Sequence, residues 1–269
     1  MAGRALAALC ALLLAPLAAC GEANGESILD KDVLRIGVRT DLSLIAEIVD
    51  GEFVGYEIDV AEFIARELGK EAVFVPVDLH ERAPQLLAGK IDIAIATYSI
   101  TQERKQSIAF AGPYVIDHFD VLVREDDDTI ASLDELAGKR VCEIEGSNAV
   151  ERLTDEHGIE AEIRSVESYE RCLTMVDAGE IDAIVTDELT LAGLALHADF
   201  GADLLGAHFS QERIGVGMRP GDTAGCEAIN RAITAMYREG HAERYLEKWF
   251  SDTVLDLSRF PVPQFEGCE

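Results

Sequence analysis

GKIDIAIATYSITQER, from Gly89 to Arg104, decides the fold, because its first part returns 90 positions later as GEIDAIVTD, from Gly179 to Asp187. In each copy a small loop (Ala88-Gly89-Lys90, Ala178-Gly179-Glu180) leads into an Ile-Asp-apolar run. That is the pattern of a short strand buried on both faces and fed by a helix. Both runs end in polar residues: Thr97, Ser99 and Arg104 in the first, Thr186, Asp187 and Glu188 in the second. Open α/β sheets bind ligands beyond the carboxyl ends of their strands. Two similar lobes facing each other would therefore set hydroxyls and a cation opposite a carboxylate, an arrangement that fits a zwitterion.

Outward from the repeat, strands alternate with helices. Val33 to Val38 reads as a strand, Ile58 to Leu68 as a helix closed by Gly69, Ala72 to Val77 as a strand, and Glu81 to Ala88 as a short helix. Phe110 to Tyr114 reads as a turn around Gly112-Pro113, and Phe119 to Val123 as a crossing strand. The acidic run Glu125 to Asp128 reads as a solvated loop, since the Gly and later Glu of a calcium loop are missing at the required offsets. After a helical turn at Ser132 to Leu136 the pattern restarts. It predicts a strand over Arg140 to Ile144, a helix from Asn148 to about Glu156, a strand over Ile159 to Val166, a helix over Ser168 to Ala178 and a strand over Ile181 to Thr186. Ile214 to Met218 then reads as a strand, followed by two helices broken at Gly240. The alternation implies an α/β fold built of parallel βαβ units. The return to one strand and two helices implies a first lobe, 33–115 and 214–269 with the C-terminal tail, interrupted by a second lobe, 116–213.

Met1 to Ala19 carries Arg4 and an unbroken small-and-apolar stretch, which reads as a secretion signal. Leu17-Ala18-Ala19-Cys20-Gly21 resembles the lipobox of bacterial lipoproteins, which would make Cys20 the lipidated first residue of a tether, 20–32. The alternative is an ordinary signal with an incidental cysteine. Of six cysteines, Cys10 leaves with the signal and Cys20 carries lipid, so Cys142, Cys172, Cys226 and Cys268 remain. An even number in an exported chain suggests disulfides, with three connectivities. Cys142 with Cys172 lies within one lobe, and Cys226 with Cys268 would staple the Pro-rich tail to a helix; this pairing is favoured over a metal site or free thiols, and no metal is expected.

The chain has 51 acidic and 23 basic residues, a formal net charge of −28. That argues against nucleic acid and against electrostatic docking on anionic lipid. It also sets a local condition: an anionic ligand requires buried arginines in the cleft to oppose the field of the whole chain. Arg104 could meet a carboxylate through two parallel hydrogen bonds, with Thr101 capping the helix that Gln102 begins. Ser147 and Asn148 start a helix after Gly146, where free N–H groups favour an anion. Asp187 suits an α-ammonium or caps the next helix. Arg39 either reaches the cleft beside Thr97 or pairs with Asp41 on the surface. For enzymes the chain offers little: six scattered histidines, no H-E-x-x-H pair, no G-x-S-x-G elbow and no phosphate loop. No catalytic residue and no cofactor is expected.

Taken together, Val54-Gly55-Tyr56-Glu57-Ile58-Asp59-Val60, the run Ala96 to Arg104, Phe110-Ala111-Gly112-Pro113-Tyr114, Gly146-Ser147 and Ile181-Asp182-Ala183 leading to Asp187 resemble the extracellular solute-binding proteins of ABC transporters, family 3, and in particular the glutamate-binding lipoproteins of actinobacteria. The resemblance spans Leu34 to Phe250. It implies a two-lobed, type II periplasmic-binding-protein-like fold, each lobe a mostly parallel sheet flanked by helices, joined by a two-strand hinge that closes on one amino acid. By matched position Arg104 would grip the α-carboxylate with Ser147, while Thr97, Ser99 and Asp187 hold the α-ammonium. Arg39 matches a basic position that meets the side-chain carboxylate in aspartate and glutamate binders, and Cys142 and Cys172 match a cysteine pair of the glutamate-binding branch. Leu42-Ser43-Leu44-Ile45-Ala46-Glu47 departs from the pattern, because many relatives place an aromatic residue there. The expected protein is a monomeric lipoprotein on the outer face of the cell membrane that binds glutamate or aspartate and delivers it to an ABC permease. An amino-acid sensor and a dehydratase-type enzyme are the alternatives on this fold.

Overall fold

The computed structural model describes residues 26–268; the expected signal segment, Cys20 and the first part of the tether lie outside the described residues. The strand β1 (Val33–Val38) is followed by three short ones, β2 (Asp41–Leu42), β3 (Ala46–Val49) and β4 (Glu52–Val54). Then come α1 (Tyr56–Glu67), β5 (Glu71–Pro76), α2 (Arg82–Leu87), β6 (Ile93–Ala94) and the long β7 (Ala109–Arg124). The second half holds β8 (Arg140–Ile144), α3 (Ala149–His157), β9 (Glu162–Val166), α4 (Tyr169–Asp177), β10 (Ala183–Asp187), α5 (Glu188–Leu196) and β11 (Ala202–Leu204). The strand β12 (Phe209–Met218) leads back to α6 (Thr223–Arg238) and α7 (His241–Phe250).

One mixed sheet joins the strands in the order β5-β1-β6-β12-β7-β10-β8-β9, with β11 beside β7, while β2, β3 and β4 form a separate small sheet. Within each lobe the outer strands are parallel, β1 with β5 and β6, and β8 with β9 and β10. The antiparallel pairs come from the crossing strands: β12 runs against β6 and β7, and β10 and β11 run against β7. β7 and β12 thus pass from one lobe to the other side by side, and the lobes turn about them.

The two copies of the repeat are built alike. Gly89 and Gly179 take positive φ, 66° and 68°, where a residue without a Cβ is favoured. Each accordingly ends its helix, Gly89 N donating to Leu86 O and Gly179 N to Val176 O, both at 3.0 Å. The Asp that follows each loop ties the neighbouring strand. Asp92 accepts from the Arg35 backbone N at 2.9 Å and from its guanidinium at 2.8 and 3.1 Å, and Asp182 does the same to Arg140 at 2.8, 2.5 and 3.0 Å. Ile-Asp is therefore a strand-registering device in both lobes.

Alternation along the strands divides the core into layers. Leu122 and Ile184 join a cluster that runs through both lobes and includes Leu34, Ile36, Val38, Phe63 and Phe250. Their neighbours Val121, Val123, Ala183 and Val185 face the other way, onto α3 residues Val150 and Leu153. A third cluster, with Leu86, Ile91 and Tyr98, covers the corresponding face of the first lobe. α1 buries Tyr56, Ile58, Val60, Ala61, Phe63, Ile64 and Ala65, the helical spacing seen in the sequence, against α6 and α7.

Several boundaries differ from the sequence reading. Phe110 to Tyr114 lies inside β7 rather than in a turn; a register shift between Ile214 and Val216 lets the ladder pass Pro113, which has no N–H to offer. The strand of the first copy shrinks to Ile93–Ala94, and β9 starts at Glu162 rather than Ile159. Gln102 begins no α-helix: a 3₁₀ turn forms at Arg104–Gln106, with Thr101 Oγ1 accepting from Arg104 N at 3.2 Å. Both predicted disulfides are present, Cys142–Cys172 and Cys226–Cys268.

Candidate functional site

The carboxyl ends of β1 and β6 place Arg39 and Thr97 at one edge of the cleft. Thr97 has φ of 46°, the left-handed region that a β-branched residue rarely enters, so its backbone is held by its partners. Its N–H donates to Glu57 Oε1 at 2.6 Å and its carbonyl accepts from Arg82 Nη1 at 3.0 Å. Glu57 sits in the first turn of α1 and is fully buried; the Tyr114 hydroxyl donates to the same Oε1. Burial raises the Glu57 pKa to about 7, the hydrogen bonds from Tyr114 and Thr97 oppose the rise, Asp187 adds to it and Arg39 resists it.

Two further guanidiniums converge beside this carboxyl. Arg82 on α2 is 1% exposed and makes four hydrogen bonds, to the carbonyls of Leu79 (2.7 Å), Ala96 (2.9 Å), Thr97 (3.0 Å) and Gly146 (3.1 Å). Burial and then the charge of Arg104 push its pKa down to about 9, which leaves it protonated at neutral pH. Arg104 donates to Ser99 O at 2.9 Å and to Gly146 O at 3.0 Å, and burial lowers its pKa as well. The Tyr98 ring carries both cations, with Arg82 Cζ 4.0 Å and Arg104 Cζ 5.2 Å from its centroid. Ser99 is buried near Glu212 of β12, which accepts from Asn148 Nδ2 at 3.3 Å; burial raises the Glu212 pKa.

The second lobe contributes the ends of β8 and β10. Asp187 caps α5, its Oδ1 accepting from Thr190 N at 3.0 Å, and its Oδ2 accepts from Thr186 Oγ1 at 3.1 Å. The cap reading of the sequence therefore holds, and the carboxylate stays near enough to the cleft to raise the pKa of Glu57, Tyr114 and Asp117. Ser147 Oγ accepts from Ala149 N at 3.2 Å at the start of α3. A cavity of about 410 Å³ is lined by Ser147, Asn148, Gly146, Arg104 and Arg152. Another of about 310 Å³ is lined by Arg39, His80, Ile144 and Glu145.

Arg39 combines the two sequence alternatives. It pairs bidentately with Asp41, Nε to Oδ1 at 2.8 Å and Nη2 to Oδ2 at 2.5 Å, yet it is 3% exposed rather than on the surface. Its Nη1 and Glu57 Oε2 are both buried without a hydrogen-bond partner. Glu57 thus bonds Thr97 and feels the charges of Asp187 and Arg39, Arg104 bonds Ser99 directly, and Arg82 joins the two groups through the carbonyls of Thr97 and Gly146. The sequence reading missed Glu57, Arg82 and Glu212. Glu57 lay in plain view inside Val54 to Val60, and Arg82 was absorbed into an ordinary short helix. Among the described residues no group of three or more His, Cys, Asp or Glu side chains could hold a metal ion.

Two lobes hinged on a pair of crossing strands, with guanidiniums and carboxylates meeting in the cleft, define an amino-acid-binding protein of the periplasmic-binding class. Residues 34–252 match the bacterial extracellular solute-binding proteins, family 3, and the chain belongs to that family. It is 29% identical over 259 residues to the glutamate-binding protein GluB of Corynebacterium glutamicum, covering 89% of this chain and 87% of that one. It is 32% identical over 267 residues to the glutamine-binding protein GlnH of Bacillus subtilis, covering 92% and 96%. An ancestral arginine-binding protein solved with glutamine bound superposes with a TM-score of 0.75 at 31% identity, covering 82% of this chain and 99% of that one. All three are named as amino-acid-binding proteins, and GlnH as that of an ABC transporter.

Proposed function

We propose that this protein captures an acidic amino acid, glutamate or aspartate, by hinge closure and delivers it to an ABC permease, as a monomer anchored through lipid on Cys20 at the outer face of the membrane. The lobes of this reading are 33–115 with 214–269, and 116–213. One observation carries it: in a chain of net charge −28, two buried guanidiniums, Arg39 and Arg82, gather with the half-buried Arg104 in one cleft. Such a concentration opposes the field of the whole chain and favours an anion in the cleft. Arg104, with Ser147, takes the α-carboxylate; Thr97, Ser99 and Asp187 take the α-ammonium; Arg39 takes the side chain.

A second reading is favoured by the engagement of Arg39 with Asp41. Its fork is already neutralised, and the free groups are one donor, Arg39 Nη1, and one acceptor, Glu57 Oε2. A carboxamide offers the complement of both, so glutamine is the alternative ligand. Calorimetric titration of glutamate and glutamine into wild type, Arg104→Ala and Arg39→Ala tests the assignment. Arg104→Ala should abolish binding of every amino acid, and Arg39→Ala should selectively lose acidic ones. Glutamate affinity unchanged in both variants would overturn the site.

A further inference from the structure

The lobes touch through two glycines of the second lobe. Gly146, in the loop between β8 and α3, has φ of +90°, and a Cβ built there would lie 2.8 Å from His80 N and 3.0 Å from Leu79 C, backbone of the first lobe. Gly193, inside α5, is buried against Ser43 of the β2–β3 loop, where a Cβ would lie 2.3 Å from the Ser43 carbonyl oxygen. Real Cβ atoms do not approach that closely, so any side chain at either position keeps the lobes apart. Ser43 is also held from the same side, its Oγ 2.7 Å from His197 Nε2.

At the first notch the contact is more than steric. The Gly146 carbonyl accepts from Arg82 Nη2 at 3.1 Å and from Arg104 Nη2 at 3.0 Å, two first-lobe cations on one second-lobe oxygen. Arg82 is fixed for this by three carbonyls of its own lobe and by Tyr98, whose ring packs on β12 at Gly217, where a Cβ would come within 2.8 Å of it. Arg104 is drawn in both directions, toward Gly146 and toward the carboxylate assigned to it above. Each of the three Arg82 nitrogens donates to a protein carbonyl.

We propose that Gly146 and Gly193 are closure notches and that Arg82 is a latch, a positioning residue that holds the closed form and sets Arg104 through the shared Tyr98 ring and Gly146 carbonyl without touching the amino acid. The inference rests on the hinge closure of the proposed function and not on which amino acid is bound.

Small-angle X-ray scattering of the full exported chain, without amino acid and with saturating glutamate or glutamine, compares wild type with Arg82→Gln and Gly193→Ala. Under whichever condition wild type is compact, both variants should have a larger radius of gyration. Amino-acid affinity should fall by roughly 5- to 150-fold, in Gly193→Ala from overpacking a formed contact and in Arg82→Gln from removing a charged donor to the Gly146 carbonyl. Gly193→Ala separates latch from fold: alanine is the better helix former, so its melting temperature in the absence of ligand should hold or rise while closure is lost. Variants that scatter and bind as wild type does, or a wild type that is extended under every condition, would overturn the proposal. A compact wild type that binds neither amino acid, with extended variants, would keep the latch and remove the ligand assignment.

Discussion

Replacing Glu57 by glutamine removes one buried proton equilibrium at almost no change in volume. In the folded chain burial raises this pKa from 4.5 to about 7. At about 1.4 kcal/mol per unit, ionising Glu57 in the fold costs roughly 3 kcal/mol more than ionising it in the unfolded chain. Because the folded pKa is the higher one, the stability this carboxyl contributes is complete below pH 4.5 and is lost as pH rises through about 7. Glutamine cannot titrate, so the variant escapes that loss. Between pH 4.5 and pH 8 ligand-free wild type should therefore fall in stability relative to Glu57→Gln by roughly 3 kcal/mol, or about 6–12 °C in melting temperature for a chain of this size. Differential scanning calorimetry of both proteins across that range measures the difference. Other shifted acids, such as Asp117 and Glu212 upward and Asp92 and Asp182 downward, are common to both proteins and cancel. A melting-temperature difference that stays constant with pH would refute a proton held on Glu57.

Asp41→Asn frees the Arg39 fork from its carboxylate partner and should shift selectivity toward glutamate over glutamine by about tenfold, the equivalent of about 1.4 kcal/mol; competition calorimetry reads it, and an unchanged ratio would detach Arg39 from the ligand side chain. Removing Cys226 and Cys268 together opens a loop spanning 42 residues and should cost about 4 kcal/mol of stability on the chain-entropy account, read by urea unfolding, with amino-acid affinity retained because neither residue faces the cleft. Thr97→Gly relieves a φ of 46° and should leave stability equal or raise it by about 1 kcal/mol, while weakening amino-acid binding through loss of the hydroxyl.

The parts of this molecule legible in the sequence are those written locally. The Gly-x-Ile-Asp repeat marks two helix ends and two central strands, and each carries its meaning within a few residues: a positive-φ glycine, a buried isoleucine, an aspartate that registers the adjacent strand. Thr97, Ser99, Arg104 and Asp187 follow because strand ends in an open sheet point at the cleft. What escaped was written across long separations. β7 looked like a turn because Gly112-Pro113 breaks any local strand pattern, and only pairing with β12 a hundred residues on carries the ladder past it. Glu57 reads as one acid among 51; its pKa is raised by burial and by Asp187, against the opposing hydrogen bonds from Tyr114 and Thr97, all of them set by the tertiary fold. Arg82 and Gly146 acquire their roles only when the lobes meet. The strength of the Arg39–Asp41 pair was visible as a spacing of two residues, but its burial was not.

A thermal-shift screen of the twenty amino acids tests the central claim most directly, since a ligand bound only by the folded form stabilises it by mass action, about 2.7 kcal/mol at a hundred times its dissociation constant. Glutamate should raise the melting temperature most, by roughly 5–10 °C under that condition, with aspartate or glutamine behind it and most others without effect. A shift confined to arginine, lysine or histidine, or no shift with any amino acid, would contradict the account.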